Sequence, residues 1–195
     1  MAGMTLPQCL MQQAQEHPHG IAMREKQQGI WQEWTWAQYL EEVRALTLGL
    51  VALGLEKGDT LAILSDNRPQ VYWTMVAVQI AGGVPVPLYQ DAISRELQYV
   101  IDHADAIMLL AEDQEQVDKV LEIKDGLPRL RRIIFDDPKG MRHYTDPALL
   151  RFTEVQAVVG QRLKAVTAPV GGLDPRRFAG LMSGAMRVMK AIGRK

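Results

Sequence analysis

The sequence predicts an α/β fold, with a mostly parallel sheet that carries helices on both faces. Short apolar runs alternate along the chain with longer segments whose apolar residues recur at helical spacing. The apolar runs are nearly uninterrupted, as is typical of strands that are covered on both faces. With 195 residues, 47% of them hydrophobic, the chain is long enough and apolar enough to build one sizeable core.

The first predicted elements are two short strands at residues 21–24 and 29–34, joined by a polar turn at residues 25–28. Thr35 and Gln38 follow with the spacing of a capping box, in which each side chain bonds to the backbone N–H of the other residue. This pattern predicts that a helix begins directly after the second strand. Its apolar residues recur at helical spacing.

The chain then alternates between strand and helix. We predict that the first long helix ends at Gly54, because glycine readily adopts the left-handed conformation of a helix C-cap. Residues 60–64 are an apolar run too short for a helix, so we predict a buried strand there. A helix through residues 71–80 follows, with Pro69 tolerated in its first turn.

The next apolar stretch, residues 82–89 (GGVPVPLY), contains two prolines separated by one residue. Proline has no N–H to donate, and alternate residues of a strand direct their N–H groups to the same edge. Pro85 and Pro87 therefore leave one edge of the strand without donors at these positions. We expect this strand to be short, to lie at the edge of the sheet, or to pair on one side only.

The pattern continues with a helix that Ser94 is predicted to cap and a buried strand at residues 106–110. Asp113 caps the next predicted helix, which ends at Gly126. Residues 132–135 form the last predicted strand. Helices and strands that alternate in this way indicate βαβ units and a parallel sheet.

Ligands of such sheets bind outside the carboxyl ends of the strands, so the loops after Leu64, Tyr89, Leu110 and Phe135 are where chemistry is expected. These loops contain no glycine-rich dinucleotide fingerprint, and the sequence has no Walker loop and no nucleophile elbow. From the residues alone we predict a scaffold, with no catalytic, cofactor-binding or metal-binding residue.

The isolated reactive side chains support this interpretation. His17, His19, His103 and His143 lack the spacing of a metal site, and we expect structural or surface roles for them. The single cysteine, Cys9, falls in a predicted helix, where we expect a packed or surface thiol rather than a nucleophile.

Two residues before the second predicted helix have alternative interpretations. We favour Asn67 as its N-cap and Arg68 as a surface or salt-bridging group. The alternative is that the two side chains orient a ligand.

Charge divides the chain into two parts near Ala157. Residues 1–156 contain 14 Lys+Arg and 22 Asp+Glu, a net charge of −8, and residues 157–195 contain 8 and 1, a net charge of +7. The total of −1, together with the lack of nucleic-acid-binding signatures, gives no reason to expect a nucleic acid partner. The chain has no secretory signal and no apolar run long enough to span a membrane, so we expect a cytoplasmic protein.

Two stretches resemble the N-terminal region of adenylate-forming acyl-CoA synthetases. They are ALGLEKGDTLAILSDNRP at residues 52–69 and AGGVPVPLY at residues 81–89. WQEWTW at residues 31–36 and EDQEQVDK at residues 112–119 are similar to the long-chain fatty acid branch of that family. The resemblance covers roughly residues 4–156. It implies that this part of the chain is a partial N-terminal subdomain of the adenylate-forming enzyme fold.

The resemblance also implies a two-step reaction for a full-length enzyme. A fatty acid carboxylate attacks the α-phosphate of ATP with the help of Mg²⁺, which gives an acyl-adenylate and pyrophosphate. The thiol of CoA then displaces AMP. The family stabilises phosphate charge with a Ser/Thr/Gly-rich loop ending in Pro-Lys-Gly, and with later acidic and lysine motifs.

These motifs are missing from residues 157–195, where only residues 182–185 (MSGA) offer a chance match to the phosphate loop. We therefore assign no catalytic residue. We expect a synthetase truncated before its phosphate-binding loop, to which ATP, Mg²⁺ and CoA do not bind well and which is inactive alone. The alternative is a non-catalytic fragment or a membrane-associated interaction module.

Two side-chain groups have a functional interpretation within that family. Trp31, Trp34 and Trp36 either line an acyl pocket or pack in the core or at the edge, and we favour packing. Alternation along a strand places Trp34 and Trp36 on one face. Arg129, Arg131 and Arg132 either meet CoA phosphates or form a solvated turn, and we favour the turn.

The basic tail has three interpretations. Residues 176–192 place apolar side chains at the spacing of one helix face with basic residues around them. They predict an amphipathic helix that lies on the inner membrane surface or packs on the domain. The third interpretation is that the tail, residues 157–195, is foreign to the family and follows a frameshift or gene fusion.

Overall fold

The computed structural model describes residues 3–158, so the predicted tail helix lies outside the described residues. The helices are α1 (Leu6–Glu16), α2 (Trp36–Ala52), α3 (Pro69–Ile80), α4 (Ser94–His103) and α5 (Gln114–Ile123). The strands are β1 (Ile21–Gln27), β2 (Ile30–Thr35), β3 (Thr60–Leu64), β4 (Val84–Leu88), β5 (Ala106–Ala111), β6 (Arg132–Phe135) and β7 (Leu149–Arg151). Two 3₁₀ turns, Lys124–Gly126 and Met141–His143, and a helical segment at residues 152–158 complete the described chain.

The main sheet has five parallel strands in the order β4-β3-β5-β6-β7. Each strand predicted within this sheet is present, and the α/β prediction is confirmed. Strand β7 was not predicted, because a strand of three residues is too short to be distinguished from a loop by its pattern. Strands β1 and β2 form a separate antiparallel hairpin.

Two hydrophobic cores lie on opposite faces of the sheet, as β3 illustrates. Leu61 and Ile63 face the core built with α1, α2 and α3, whereas Ala62 and Leu64 face the core built with α4 and α5. These four side chains are buried almost completely. Because successive residues of a strand point to opposite faces, a strand between two helix layers must be apolar throughout. The prediction of helices on both faces is thus confirmed.

The β1–β2 hairpin is longer than predicted. The turn consists of Gln28 and Gly29, with φ values of 50° and 83°, and two positive φ values favour the twist of a two-residue hairpin turn. The prediction of a turn at residues 25–28 was wrong because Glu25 and Lys26, although polar, pair with Gln32 and Trp31 across the hairpin. Polar residues are tolerated there because much of this two-stranded ribbon faces solvent.

Two helix ends agree with prediction. Thr35 accepts a hydrogen bond from the Gln38 N–H at 3.2 Å, and the Gln38 side chain accepts one from the Thr35 N–H at 2.8 Å. This reciprocal capping box starts α2. After α2, Gly54 has a φ of +99°, the left-handed conformation predicted for it.

Two other predicted caps were wrong. The N-cap position of α3 is Arg68 and not Asn67, because the Asn67 side chain accepts a hydrogen bond from the Tyr72 hydroxyl at 2.6 Å. Ser94 is the first residue of α4 and not its cap, since its hydroxyl donates to Glu122 at 2.6 Å. In both cases a side chain from further along the chain competes with the local capping bond.

Strand β4 lies at one edge of the main sheet, as its prolines predicted. The Val84 N–H donates to the carbonyl of Asp59 at 2.8 Å, which directs it toward β3. Alternation along the strand then directs the N–H groups of Val86 and Leu88 to the same side. Pro85 and Pro87 therefore face the open edge, where they need no donor.

The helical segment at residues 152–158 packs closely on α2. A Cβ atom added to Gly49 would lie 2.0 Å from the carbonyl oxygen of Val155 and 2.9 Å from its Cγ1. Val155 is fully buried, and Phe152 packs against Trp73 of α3 with ring centroids 6.3 Å apart. Because the Val155 backbone approaches α2 so closely, position 49 has room only for glycine.

We expect Gly49→Ala to destabilise the protein by about 2 kcal/mol in urea unfolding, because a methyl group has no room beside Val155. Helix propensity alone predicts a change of opposite sign, a gain of about 1 kcal/mol for alanine inside a helix. The sign of the measured change in unfolding free energy therefore decides between the two effects. A variant at least as stable as the wild type would contradict the packing.

Candidate functional site

A cluster of charged side chains lies at the carboxyl end of the parallel sheet. The backbone ladder continues past the ends of the strands, since the Glu112 N–H donates to Leu64 at 3.0 Å and the Asp136 N–H donates to Ala111 at 3.1 Å. These bonds hold the first residues of the loops after β3, β5 and β6 side by side. Three of the four loops predicted to carry chemistry, those after β3, β5 and β6, are thus brought together. The fourth loop follows β4 and leads to α4.

Arg68 occupies the centre of this cluster. Its Nε donates to Glu25 of the hairpin at 2.9 Å, and its Nη1 donates to Glu112 at 3.3 Å. The same Nη1 lies 3.9 Å from an Asp136 oxygen. The Arg68 side chain is only 21% exposed, and its carboxylate partners are comparably buried. The prediction of a salt-bridging role for Arg68 is confirmed.

The pKa of Arg68 is raised above its ordinary value. Burial works to lower it, but the hydrogen bond to Glu25 and the charges of Glu25, Asp136 and Glu112 outweigh burial. The guanidinium therefore remains a permanent cation with its charge already balanced by these neighbours.

Glu112 joins the network to the loop after β3. One of its oxygens accepts hydrogen bonds from the Asp66 N–H at 2.6 Å and from the Ser65 hydroxyl at 3.3 Å, while its other oxygen accepts from Arg68. A single carboxylate thus fixes both the backbone of this loop and the side chain of Arg68.

Asp136 is the carboxylate of the cluster whose pKa is raised. Burial raises its pKa from 3.8 to about 6, although the positive charge of Arg68 opposes the rise. The negative charges of Glu25, Asp137 and Glu112 add to it. At 3.9 Å from Arg68, the carboxylate gains charge attraction but no direct hydrogen bond to compensate for burial.

A cleft of about 470 Å³ opens beside Arg68, between the hairpin and the start of α3. Its walls include Met23 and Glu25 on one side and Asn67, Pro69 and Tyr72 on the other. The hydrogen bond between Tyr72 and Asn67 spans this second wall. The cleft is thus bordered by both carboxylate and amide groups.

The aromatic residues near the cleft serve packing. Trp34 meets Trp73 edge to face with centroids 5.7 Å apart, at the junction of hairpin and α3. Trp36 is the first residue of α2 and not part of a strand, so the expectation that it shares a strand face with Trp34 was wrong. The capping box at Thr35 ends the strand before it. Trp36 stacks on Tyr39, and Trp31 is exposed.

The other side chains singled out in the sequence lie away from the cluster. Arg129 pairs with Asp105 at 2.9 Å, with both side chains more than half exposed, in keeping with a solvated turn. His103 stacks on Tyr99, and Cys9 is exposed. Within residues 3–158, no helix is both long and apolar enough to cross a bilayer.

The sequence matches the model of a known family, described as AMP-binding enzyme, over residues 10–168. This is most of the chain. The chain belongs to the AMP-binding enzyme family. The resemblance inferred from residues 52–69 and 81–89 is thereby confirmed.

Curated relatives of this AMP-binding family member are long-chain-fatty-acid CoA ligases. FadD15 from Mycobacterium bovis is 31% identical over 150 residues, which are 75% of this chain and 24% of the relative. ACSBG2 from Xenopus laevis is 29% identical over 67% of this chain and 18% of its own length. The chain thus spans about a quarter or less of the length of these relatives.

Solved structures of other ligases share the fold. Acetoacetyl-CoA synthetase from Streptomyces lividans matches with a TM-score of 0.69 at 22% identity, over 77% of this chain and 24% of that one. Coronafacic acid ligase from Pectobacterium brasiliense matches with a TM-score of 0.70 at 18% identity, over 79% and 29%. At these identities the likeness establishes the fold alone.

The charged cluster does not fit the nucleotide that the family name implies. Three carboxylates surround one guanidinium, so a triphosphate would meet excess negative charge, and the cation that could attract it is already paired. Nor does the described part of the chain bring together three or more His, Cys, Asp or Glu side chains in a way that could hold a metal ion. We therefore assign no nucleotide or Mg²⁺ contact to these residues.

We expect Asp136→Asn to change how stability depends on pH. A pKa raised to about 6 makes the aspartate stabilising below 3.8, and this contribution is lost as pH rises through 6. The loss amounts to at most about 3 kcal/mol, and less because the side chain keeps some solvent contact. The variant should therefore gain stability relative to the wild type between pH 4 and pH 7.

Urea unfolding at both pH values measures this difference. Asp125→Asn removes the same charge at an exposed position and is the matched control. An Asp136→Asn variant that follows the pH profile of the wild type would contradict the assigned pKa.

Proposed function

We propose that this chain corresponds to the N-terminal scaffold of a long-chain fatty acyl-CoA ligase and does not activate a fatty acid by itself. In this proposal, the whole enzyme joins a fatty acid to CoA through an acyl-adenylate, with ATP, Mg²⁺ and CoA as co-reactants. The family membership and the names of the curated relatives support the choice of reaction.

The observation that carries the proposal is the pairing of Arg68. Adenylate formation requires positive charge directed at phosphate oxygens. At the carboxyl end of this sheet, Arg68 lies at the centre of the charged cluster and donates to Glu25 and Glu112 instead. These hydrogen bonds hold the hairpin and the loops in place. Holding other segments in position, rather than binding a triphosphate, is the role of a scaffold.

The coverage of the relatives supports the same conclusion. Some 24% of the length of FadD15 matches this chain. The phosphate loop that the family uses has no convincing counterpart in the sequence, in which residues 182–185 are the best match. The chemistry is therefore expected from a part of the ligase that this sequence does not contain.

Assay of the full 195-residue chain with ATP, Mg²⁺, palmitate and CoA tests the proposed inactivity. We expect pyrophosphate release no higher than in a reaction without protein, while Mycobacterium tuberculosis FadD15, a 31% identical relative, serves as the active control. Release that requires both ATP and palmitate would contradict the proposal.

A chimera tests the scaffold role. In FadD15, the 150 matching residues are replaced by those of this chain, and palmitoyl-CoA formation is measured by mass spectrometry. We expect a chimera that melts cooperatively to retain measurable activity. A cooperatively folded chimera without activity would contradict the assignment of this segment to the same type of ligase.

A further inference from the structure

An apolar groove of about 820 Å³ lies between the open edge of the main sheet and helix α4. It is distinct from the charged cluster, because it is built by the end of β4, the loop after it and one face of α4. Six of its apolar lining residues are Pro87, Leu88, Tyr89, Ile93, Leu97 and Val100.

Large apolar side chains are left open to solvent along this groove. Tyr89 is 72% exposed and Ile93 is 62% exposed, and Val100 on the same side of α4 is also exposed. Three large apolar residues grouped at one surface are unlike single exposed residues scattered over a protein, and such a patch marks a contact surface. Within residues 3–158, no segment covers it.

The open edge restricts what can fill the groove. Pro85 and Pro87 face outward from β4 and offer no N–H, so a further strand could not form a regular ladder there. The occupant must instead bury side chains against α4 and the end of β4. An amphipathic helix meets this requirement, because it satisfies its own backbone hydrogen bonds.

The chain itself contains a segment with the required pattern. Between residues 178 and 192, apolar side chains recur at the spacing of one helix face. They are Phe178, Leu181, Met182, Ala185, Met186, Met189 and Ile192. Residues 178–192 would form a helix of about the same length as α1 to α5, which pack on the two faces of the sheet.

Charge complementarity supports the same pairing. Residues 159–195 carry a net charge of +7, since Ala157 and Val158 are uncharged, and the preceding residues carry −8. Near the groove, the acids Asp91, Glu96 and Asp102 outnumber the bases Arg95 and Lys119, the second of which donates to the Gln90 carbonyl at 2.9 Å. A basic helix would therefore meet a surface of opposite sign, whereas a second copy of the groove would bring the same sign.

The connection is long enough. The 19 residues of 159–177 can span about 60 Å when extended. A domain of this size is only about 40 Å across. Residues 159–177 are thus long enough to reach from residue 158 to the groove, wherever residue 158 lies on the domain.

We propose that residues 176–192 fold as an amphipathic helix into the groove between α4 and the open edge of β4. Their apolar stripe covers Ile93, Val100 and Tyr89, and their basic residues face the acidic rim. The tail is then an intramolecular cover for an apolar surface, rather than a membrane anchor.

Hydrogen exchange of the full chain tests this contact. Met182→Glu places a charge in the stripe, and Ala191→Glu adds the same charge on the opposite side of the predicted helix. We expect amide exchange in α4 to rise about tenfold in Met182→Glu, the change expected when about 1.4 kcal/mol of docking is lost. We expect no rise in Ala191→Glu. Equal exchange in both variants would overturn the proposal.

A matched pair in the described domain tests the other side of the contact. Ile93 and Ile30 are 62% and 65% exposed, so Ile93→Asp and Ile30→Asp differ mainly in location. Only Ile93→Asp should raise exchange in residues 178–192. Loss of protection in both variants, or in neither, would overturn the proposal.

Cysteine trapping gives a result that does not depend on exchange. In a Cys9→Ser background, Ile93→Cys combined with Met186→Cys should oxidise to a disulfide within one chain, and Ile93→Cys with Ala191→Cys should not. A disulfide between two chains would assign the groove to a second copy. Flotation of the wild type with anionic phosphatidylglycerol vesicles, together with no intrachain disulfide in the Ile93→Cys/Met186→Cys variant, would assign the tail to a lipid surface. Either result would overturn the proposal.

Discussion

The ion-pair network of Arg68 joins the β1–β2 hairpin to the carboxyl end of the main sheet. Its guanidinium binds Glu25 on the hairpin, Glu112 after β5 and, at longer range, Asp136 after β6. Glu112 then fixes the loop after β3 through its backbone. The hairpin also packs through Trp34 on Trp73, and Ala22 and Met23 pack on the same core. To this apolar contact Arg68 adds directional, charge-assisted hydrogen bonds. Without Arg68, three partly buried carboxylates would face one another.

This arrangement agrees with the proposal that the described residues serve as a scaffold in a chain of the AMP-binding enzyme family. The carboxyl end of a parallel sheet is the usual place for a ligand, yet here it is occupied by a network in which three carboxylates share one guanidinium. The network connects three loops and the hairpin. Three carboxylates are buried there with one cation, and the pKa of Asp136 is raised as a result. These features fit the scaffold role that we propose.

The sequence predicted what depends on neighbours along the chain. The apolar runs of β3 and β5, the capping box at Thr35 and the edge position implied by Pro85 depend on residues a few positions apart. Most of the features that it missed depend on residues far apart, although the bond between Asn67 and Tyr72 spans only five positions. Glu25 was assigned to a turn, and its partner Arg68 lies 43 positions away. Asn67 and Ser94 were assigned as caps because their residue types suit that role, but Tyr72 and Glu122 engage them.

A double-mutant cycle on Arg68 and Glu25 measures whether Arg68 fastens the hairpin to the sheet. Arg68→Gln, Glu25→Gln and the double variant are compared by urea unfolding, with Arg24→Gln and Glu33→Gln as the control cycle on an exposed pair of the same kind. The account predicts a coupling energy of about 1–2 kcal/mol for the first pair and at most about 0.5 kcal/mol for the control. Equal coupling in the two cycles would show that Arg68 is an ordinary surface ion pair and would contradict the account.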